Sequence, residues 1–449
     1  MTRKYAYWLD TGKYAMLQKV FSILLGMLAF MLLARIFVPA DFGVWGLFII
    51  ISSIIETCRN ALVRNGYIRF INSRPGDTQP AIEAAAMLTN GIFTVVLMLL
   101  LVLSGELFEQ LFRAPGLSVM LWYYAAGLLL LAPFSWFENF FYSRMDFRAI
   151  FWMYFVRNAS FLGLILFFYL AGYSVSKNLA VSVYSLVLLP GILIAIYYFR
   201  FHPSVRVNLN WALLKEFLNY GKYVLGNNFF SLIFVSTDSF MTSRYVSSVA
   251  LSYYSTGARL LNFADIPSQV LGDIMFPRAA RLVASGTDEE VRRIYERTVA
   301  ASLTLIIPII ALVLLFTDTI ILVLAGPQYL EARHVLVILI FYALFLPFLK
   351  QFGNIMDARG LPHYNFWLML VMAIVNIALN YILISYFGYR GAAIGTLTSY
   401  VIVFIITQYV LYKALGVTIA RILYNIPVLY YDYFLLIKGF LRKRHKFLN

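Results

Sequence analysis

Long apolar segments separated by short polar ones make up most of the chain. A transmembrane helix needs about 20 consecutive apolar residues, and twelve segments approach that length. They lie near residues 14–35, 42–63, 82–104, 119–142, 148–171, 177–199, 220–243, 252–275, 298–325, 333–356, 363–386 and 391–413. Their apolar runs are continuous rather than alternating with polar residues, which favours helices over strands. The pattern predicts an all-α polytopic membrane protein with about twelve transmembrane helices.

The two halves of the chain share an order of residues that indicates an internal duplication. The order is a Pro-Phe pair, an asparagine five residues before an arginine, and a Phe-Trp pair. It occurs in residues 133–152 and again in residues 347–367. Six helices per copy is an even number, so both copies have the same orientation in the membrane. We expect two six-helix bundles around a central cleft that presents one site alternately to each face.

This duplication sets the expected domain boundaries. The predicted parts are an N-terminal bundle over residues 1–200, a cytoplasmic linker over 201–219, a C-terminal bundle over 220–415 and a tail over 416–449. The tail is apolar and aromatic between Ile422 and Phe440, but it includes Pro427 and Asp432 and ends in a basic stretch. We interpret it as a helix at the membrane surface; a thirteenth span is the alternative.

Composition and charge agree with a membrane protein. Of the 449 residues, 62% are hydrophobic and 13% are charged, whereas soluble domains have about 25% charged residues. The net charge is +15, and the basic residues lie mostly in alternate short loops. This asymmetry predicts that those loops and both termini are cytoplasmic. It explains the positive charge without a nucleic-acid partner.

Several catalytic motifs are absent from the sequence. It has no glycine-rich phosphate loop, no nucleophile elbow, and its four histidines do not have metal-ligand spacing. We therefore expect neither an enzyme with catalytic residues nor a metal or cofactor site. Energy for transport would come from an ion gradient, with H⁺ or Na⁺ as the coupling ion, from the membrane potential or from substrate consumption.

Ionisable residues inside the predicted helices are the candidate functional groups, because such residues are costly in a membrane and tend to be functional. Arg59 lies three residues after Glu56, so the two share a helix face and can pair. Arg157 lies deep in the fifth segment and Arg259 lies in the eighth. Each arginine either lines the cleft or belongs to a purely structural contact. Asp238 is either held by neighbouring hydroxyls or is an ion-coupling carboxylate.

Other cations lie nearer to the predicted cytoplasmic ends of the helices. Arg64, Arg144 and Arg359 either orient the helices or recruit an anionic substrate at the cytoplasmic mouth of the cleft. We interpret Lys350 as an anchor at a helix end.

Two motifs resemble those of a known transporter family. The segment 33–43, which reads LARIFVPADFG, resembles the first-helix motif of the Wzx-type polysaccharide and O-antigen flippases. The segment 251–262, LSYYSTGARLLN, followed by Phe276-Pro277-Arg278, is similar to their eighth-helix pattern, although Ser252 stands where the family usually has glycine. The resemblance extends over nearly the whole chain, and it places the protein in the multidrug/oligosaccharidyl-lipid/polysaccharide exporter superfamily.

The resemblance implies a function. Wzx-type proteins move undecaprenyl-pyrophosphate-linked oligosaccharide across the inner membrane for O-antigen or exopolysaccharide synthesis. A diphosphate outside water needs arginine-type partners, which makes Arg59, Arg157 and Arg259 the expected headgroup ligands, with Arg64, Arg144 and Arg359 recruiting the lipid. We expect a monomer that contacts membrane lipids and has a polysaccharide polymerase as a partner.

Competing functions remain open. A lipid II flippase and an ion-coupled drug antiporter share the fold, although an antiporter of cations would need a carboxylate-rich cleft. A glycan polymerase or ligase would carry a large external loop with catalytic residues, and no external loop predicted here exceeds about fifteen residues. A passive structural subunit would have no use for the buried arginines.

Overall fold

The computed structural model describes residues 3–64, 66–67, 70–71, 78–200, 210–285, 288–359 and 361–431, and these are almost entirely helical. The helices are α1 (Arg3–Ile36), α2 (Pro39–Arg59), α3 (Gln79–Phe112), α4 (Leu117–Ser143), α5 (Phe147–Leu170), α6 (Lys177–Leu186), α7 (Leu188–Phe199), α8 (Trp211–Tyr245), α9 (Ser248–Ser285), α10 (Asp288–Leu315), α11 (Thr317–Leu324), α12 (Ala332–Leu339), α13 (Leu346–Ala358), α14 (Pro362–Phe387), α15 (Tyr389–Leu415) and α16 (residues 419–431). The predicted all-α membrane fold is confirmed.

Local signals in the sequence set the ends of these helices. Pro39 opens α2, where a missing N–H costs nothing. The side chains of Asp146 and Ser176 cap α5 and α6 by accepting from backbone N–H groups 3.1 and 3.2 Å away. Gly416, at φ +66°, ends α15 in the left-handed conformation that glycine adopts without strain.

Length and apolar composition single out the helices that can span a membrane. Among the described residues, nine helices are long and apolar enough to cross a membrane, or ten if α12 and α13, which bend by 40° at their junction, form one broken span. The predicted segments 220–243 and 252–275 fall in α8 and α9, which have 35 and 38 residues but are not among those nine. The count of twelve stays a prediction.

The chain forms two compact units, Met1–Ser252 and Tyr253–Asn449. In the first unit, α3 pairs with α4, α1 pairs with α5, and α8 packs against α2 and α3. In the second unit, α14 pairs with α15, and α10 packs against α13. The predicted boundaries of the bundles and tail stay predictions, because residues 201–209 of the linker and 432–449 of the tail lie outside the described residues.

The first unit contains one unusually close backbone contact. A Cβ atom built on Gly43 in α2 would lie 1.7 Å from the carbonyl oxygen of Ser248, the first residue of α9. The hydroxyls of Ser243 and Ser248 also donate to the backbone oxygens of Phe112 and Arg113 at the end of α3. The turn between α8 and α9 therefore packs against the start of α2 and the end of α3. Any side chain at position 43 would collide with this turn, so only glycine fits there.

The described part of the tail packs onto the second unit. Ile422 in α16 is fully buried, and Ile426 and Leu429 share its face within the cluster around α10. The hydroxyl of Tyr430 donates to the backbone oxygen of Thr304 at 2.7 Å. The opposite face, which includes Tyr424, is exposed. This amphipathic arrangement supports the predicted surface helix, which stays a prediction.

Candidate functional site: a charged pocket in the first unit

A pocket in the first unit brings together four charged side chains from predicted membrane helices. It is lined by side chains from α2, α4 and α5 and by Asn60. The charged lining residues are Glu56, Arg59, Glu138 and Arg157.

A change of helix type at the end of α2 orients two of the cations. Residues Asn60–Arg64 form a π-helix, an element that is rare and frequent at functional sites. Residues five apart point about 140° away from each other in an α-helix, whereas pairing across five residues brings them to the same side. Arg59 lines the pocket, and Arg64 contacts Glu138, which lines it too.

Arg59 is a buried cation held by neutral groups. Its side chain is 1% exposed, and its Nη1 donates to Asn90 Oδ1 at 2.9 Å and Thr94 Oγ1 at 3.0 Å. Its Nε and Nη2 atoms find no acceptor among the described residues. Buried guanidinium donors without acceptors cost several kcal/mol, so Arg59 is poised to bind an anion.

Arg157 holds a carboxylate from another helix. Its Nη2 lies 3.0 Å from Glu56 Oε1, and the hydroxyl of Tyr184 donates to the same oxygen at 3.3 Å. The predicted pairing of Glu56 with Arg59 is wrong. Arg157, on α5, contacts the Glu56 carboxylate instead. The guanidinium of Arg157 also lies 5.3 Å from the ring centres of Phe134 and Tyr184, which favours a cation there.

Arg64 is paired in the same way. Its Nη2 lies 2.6 Å from Glu138 Oε1, and its Nε donates to Asn139 Oδ1 at 3.1 Å. The hydroxyl of Tyr154 donates to Glu138 Oε1 at 2.5 Å. Glu138 is itself buried and lines the pocket, so this ion pair joins Arg64 to the pocket.

The five charged side chains of this cluster do not balance. Arg59, Arg64 and Arg157 face Glu56 and Glu138, which leaves one net positive charge when the carboxylates are ionised. The excess resides on Arg59, because the other two arginines each have a carboxylate. The pocket is therefore electrostatically suited to an anion.

The remaining predicted ligands lie elsewhere. Arg144 follows α4 and pairs with Glu83 at 3.1 Å. Arg359 follows α13 and pairs with Asp288. Arg259 is partly buried in α9 of the second unit. Their roles as substrate ligands stay predictions.

Asp238 is buried in α8 of the first unit, beside the buried Thr237 and Ser239. Its burial suits either of the predicted roles, and ion coupling stays a prediction.

Several residues of this site are not among those predicted from the sequence. Glu138 interrupts an apolar segment, and its charge was a visible signal. Asn90 and Thr94 carry no charge and stand in a helix with other small polar residues, so no pattern singles them out. Tyr154 and Tyr184 are two of 32 tyrosines, and only the fold selects them.

The described residues form a helical membrane protein with a charged pocket in its first unit, and comparison with known proteins identifies the family. The sequence profile of the polysaccharide biosynthesis protein family matches residues 32–334, more than half of the chain. The chain therefore belongs to this family, and the resemblance to Wzx-type flippases is confirmed.

Two curated relatives are archaeal. An uncharacterised membrane protein of Methanocaldococcus jannaschii is 29% identical over 211 residues, which cover 47% of this chain and 42% of the relative. The probable low-salt glycan biosynthesis flippase Agl15 of Haloferax volcanii is 25% identical over 193 residues, covering 42% of this chain and 40% of the relative. The matches thus span less than half the length of either relative.

Several solved transporter structures share the fold. An inward-facing multidrug resistance MATE family transporter superimposes with a TM-score of 0.75 at 14% identity, covering 86% of this chain and 93% of that one. The lipid II flippase MurJ, in an inward closed conformation, gives 0.74 at 14% identity, covering 94% and 92%. A MOP superfamily transporter from Pyrococcus furiosus gives 0.63 at 15% identity, covering 91% and 96%.

Proposed function

We propose that this protein is a flippase that moves an undecaprenyl-pyrophosphate-linked oligosaccharide across the bacterial inner membrane by alternating access, as a step of polysaccharide biosynthesis. Membership of the polysaccharide biosynthesis family supports the pathway. The probable flippase among its relatives supports the reaction. A lipid-linked cargo accounts for a charged pocket inside a membrane protein, since the cargo has a charged head and an apolar tail.

The observation that carries this proposal is the unpaired half of the Arg59 guanidinium. Its Nε and Nη2 are buried at a pocket and lack acceptors among the described residues. Two adjacent N–H donors match the two oxygens of a phosphate, which guanidinium groups bind in a bidentate manner. A phosphate in this pocket would neutralise the excess positive charge and satisfy the free donors.

The charge of the pocket also bears on the alternatives. A drug antiporter that binds cations would need an excess of carboxylates, whereas this cluster has one excess guanidinium. A lipid II flippase would carry the same diphosphate chemistry, so the pocket does not separate it from an oligosaccharide flippase. The identity of the accumulated lipid separates the two.

The experiment is gene deletion followed by mass analysis of lipid extracts. We expect the deletion strain to accumulate diphosphate-linked oligosaccharide on the undecaprenyl carrier. The wild-type gene should remove it, and Arg59→Ala should not, although the variant reaches the membrane at normal levels. Arg59→Lys keeps the positive charge but loses the planar guanidinium with its two parallel N–H donors. We expect it to reduce export at least about tenfold, or ~1.4 kcal/mol.

The matched control is Arg148→Ala, which removes an exposed arginine that does not line the pocket. It should restore export fully. Accumulation of lipid II instead would favour the lipid II flippase, and full export by Arg59→Ala would overturn the site.

A further inference from the structure

An ion pair joins α9 to α13 in the second unit. Asp265 is near the midpoint of α9, which runs from Ser248 to Ser285. Lys350 lies one turn into α13, just after the 40° bend that separates α12 from α13. Broken helices commonly form substrate sites in transporters, so the bend makes Asp265 and Lys350 candidates for function.

The geometry contradicts the interpretation of Lys350 as an anchor. Its Nζ lies 2.6 Å from Asp265 Oδ1 and 2.5 Å from Oδ2, so it contacts both carboxylate oxygens. The two side chains nevertheless keep 32% and 18% of their surface exposed. The exposed part of the pair leaves surface for contacts with a further molecule.

Neighbouring amides fix the two helices that carry the pair. The fully buried Gln351 and its neighbour Asn354 on α13 donate to the backbone oxygens of Ser268 and Gly272 on α9. A Cβ on Gly272 would lie only 3.1 Å from Asn354 Nδ2, so glycine permits this approach. These contacts hold α9 and α13 side by side next to the ion pair.

The net charge of this ion pair differs from that of the pocket in the first unit. The first pocket has an unbalanced guanidinium that suits a phosphate, whereas Asp265 and Lys350 neutralise each other. A neutral pair with exposed acceptor and donor atoms suits an uncharged ligand rich in hydroxyls, which can donate to the carboxylate and accept from the ammonium group.

We infer that Asp265 and Lys350 form a sugar-binding site that contacts the glycan of the transported lipid and favours sugar-bearing over bare carrier. This inference rests on the proposed function, because the ligand is part of the same cargo. The site lies wholly within the second unit.

The experiment compares two probes on purified full-length protein in detergent. One is undecaprenyl pyrophosphate, and the other is the same lipid with a single N-acetylglucosamine or galactose. We expect wild type to bind a sugar-bearing lipid about tenfold more tightly, the gain of one or two hydrogen bonds. The double variant Asp265→Asn/Lys350→Met, which removes both charges of the pair, should lose this advantage yet bind the bare lipid as wild type does.

The matched control is Glu289→Gln/Arg293→Gln, which removes an exposed ion pair of α10 and should keep the advantage. Wild type that binds bare and sugar-bearing lipids equally would overturn the sugar site, and so would a double variant that retains the ratio or weakens both lipids equally. Arg59→Ala should weaken both lipids. If it weakens neither, the proposed function fails instead, whatever the ratio shows.

Discussion

Glu56 and Arg157 lie 101 residues apart in the chain and meet at 3.0 Å, although Arg59 is only one helical turn from Glu56. This pairing determines the electrostatics of the first unit. Since Glu56 is engaged by Arg157, and Glu138 by Arg64, Arg59 is the one cation of the cluster without a carboxylate partner. Arg59 therefore keeps free donors because Arg157, and not Arg59, pairs with Glu56.

The ion pair between Glu56 and Arg157 predicts how substitutions of these residues change the free energy of unfolding. Arg157→Gln should lower the free energy of unfolding by roughly 3–5 kcal/mol, because it leaves the Glu56 carboxylate without its cation. The double variant Glu56→Gln/Arg157→Gln should regain most of that loss, since neither charge remains. Thermal unfolding in detergent measures both effects.

Export should separate from stability in the same variants. Arg157 lines the pocket, so we expect the stable double variant to remain defective in export. If Arg157→Gln unfolds at the wild-type temperature, or if the double variant is no more stable than the single one, the ion pair does not have this role.

Gly43 predicts a sharp steric effect. Gly43→Ala would place a methyl group 1.7 Å from the Ser248 carbonyl oxygen, so the turn between α8 and α9 must move away from α2. We expect a lower melting temperature and loss of the hydrogen bonds from Ser243 and Ser248 to the end of α3.

The matched control is Gly163→Ala in α5, where an added Cβ has nothing within 4 Å. In a helix interior, alanine is favoured over glycine by about 1 kcal/mol, so this variant should melt at or above the wild-type temperature. Equal melting temperatures for the two variants would show that the contact at Gly43 does not constrain the fold.

Asp238 provides a test of ion coupling. If its buried carboxylate binds the coupling ion, transport by wild type should fall when an ionophore collapses the H⁺ or Na⁺ gradient. Asp238→Asn should transport slowly and respond little to the same ionophore. An identical response of the two proteins, measured as lipid translocation in vesicles, would remove this role from Asp238.

The sequence predicted what depends on composition and local pattern. Apolar runs located the helices, and the rule that buried charges are functional selected Arg59 and Arg157 before any contact was known. The recurring arginine at position 144 and at position 359 follows α4 and α13 alike, which agrees with the expected duplication.

Partners could not be predicted, because they depend on packing between distant helices. Spacing along one helix favoured Arg59 as the partner of Glu56, and the fold supplied Arg157 instead. In the same way Lys350 looked isolated, although Asp265 lies 85 residues away in the chain and meets it in space. No residue pattern in this segment predicts the π-helix that follows Arg59.

The most direct test of the central claim is an experimental structure of the protein with bound undecaprenyl pyrophosphate. We predict a phosphate within hydrogen-bonding distance of Nε and Nη2 of Arg59, in the pocket between α2, α4 and α5. A bound lipid whose phosphates lie away from Arg59, with acyl chains packed against this guanidinium, would contradict the account.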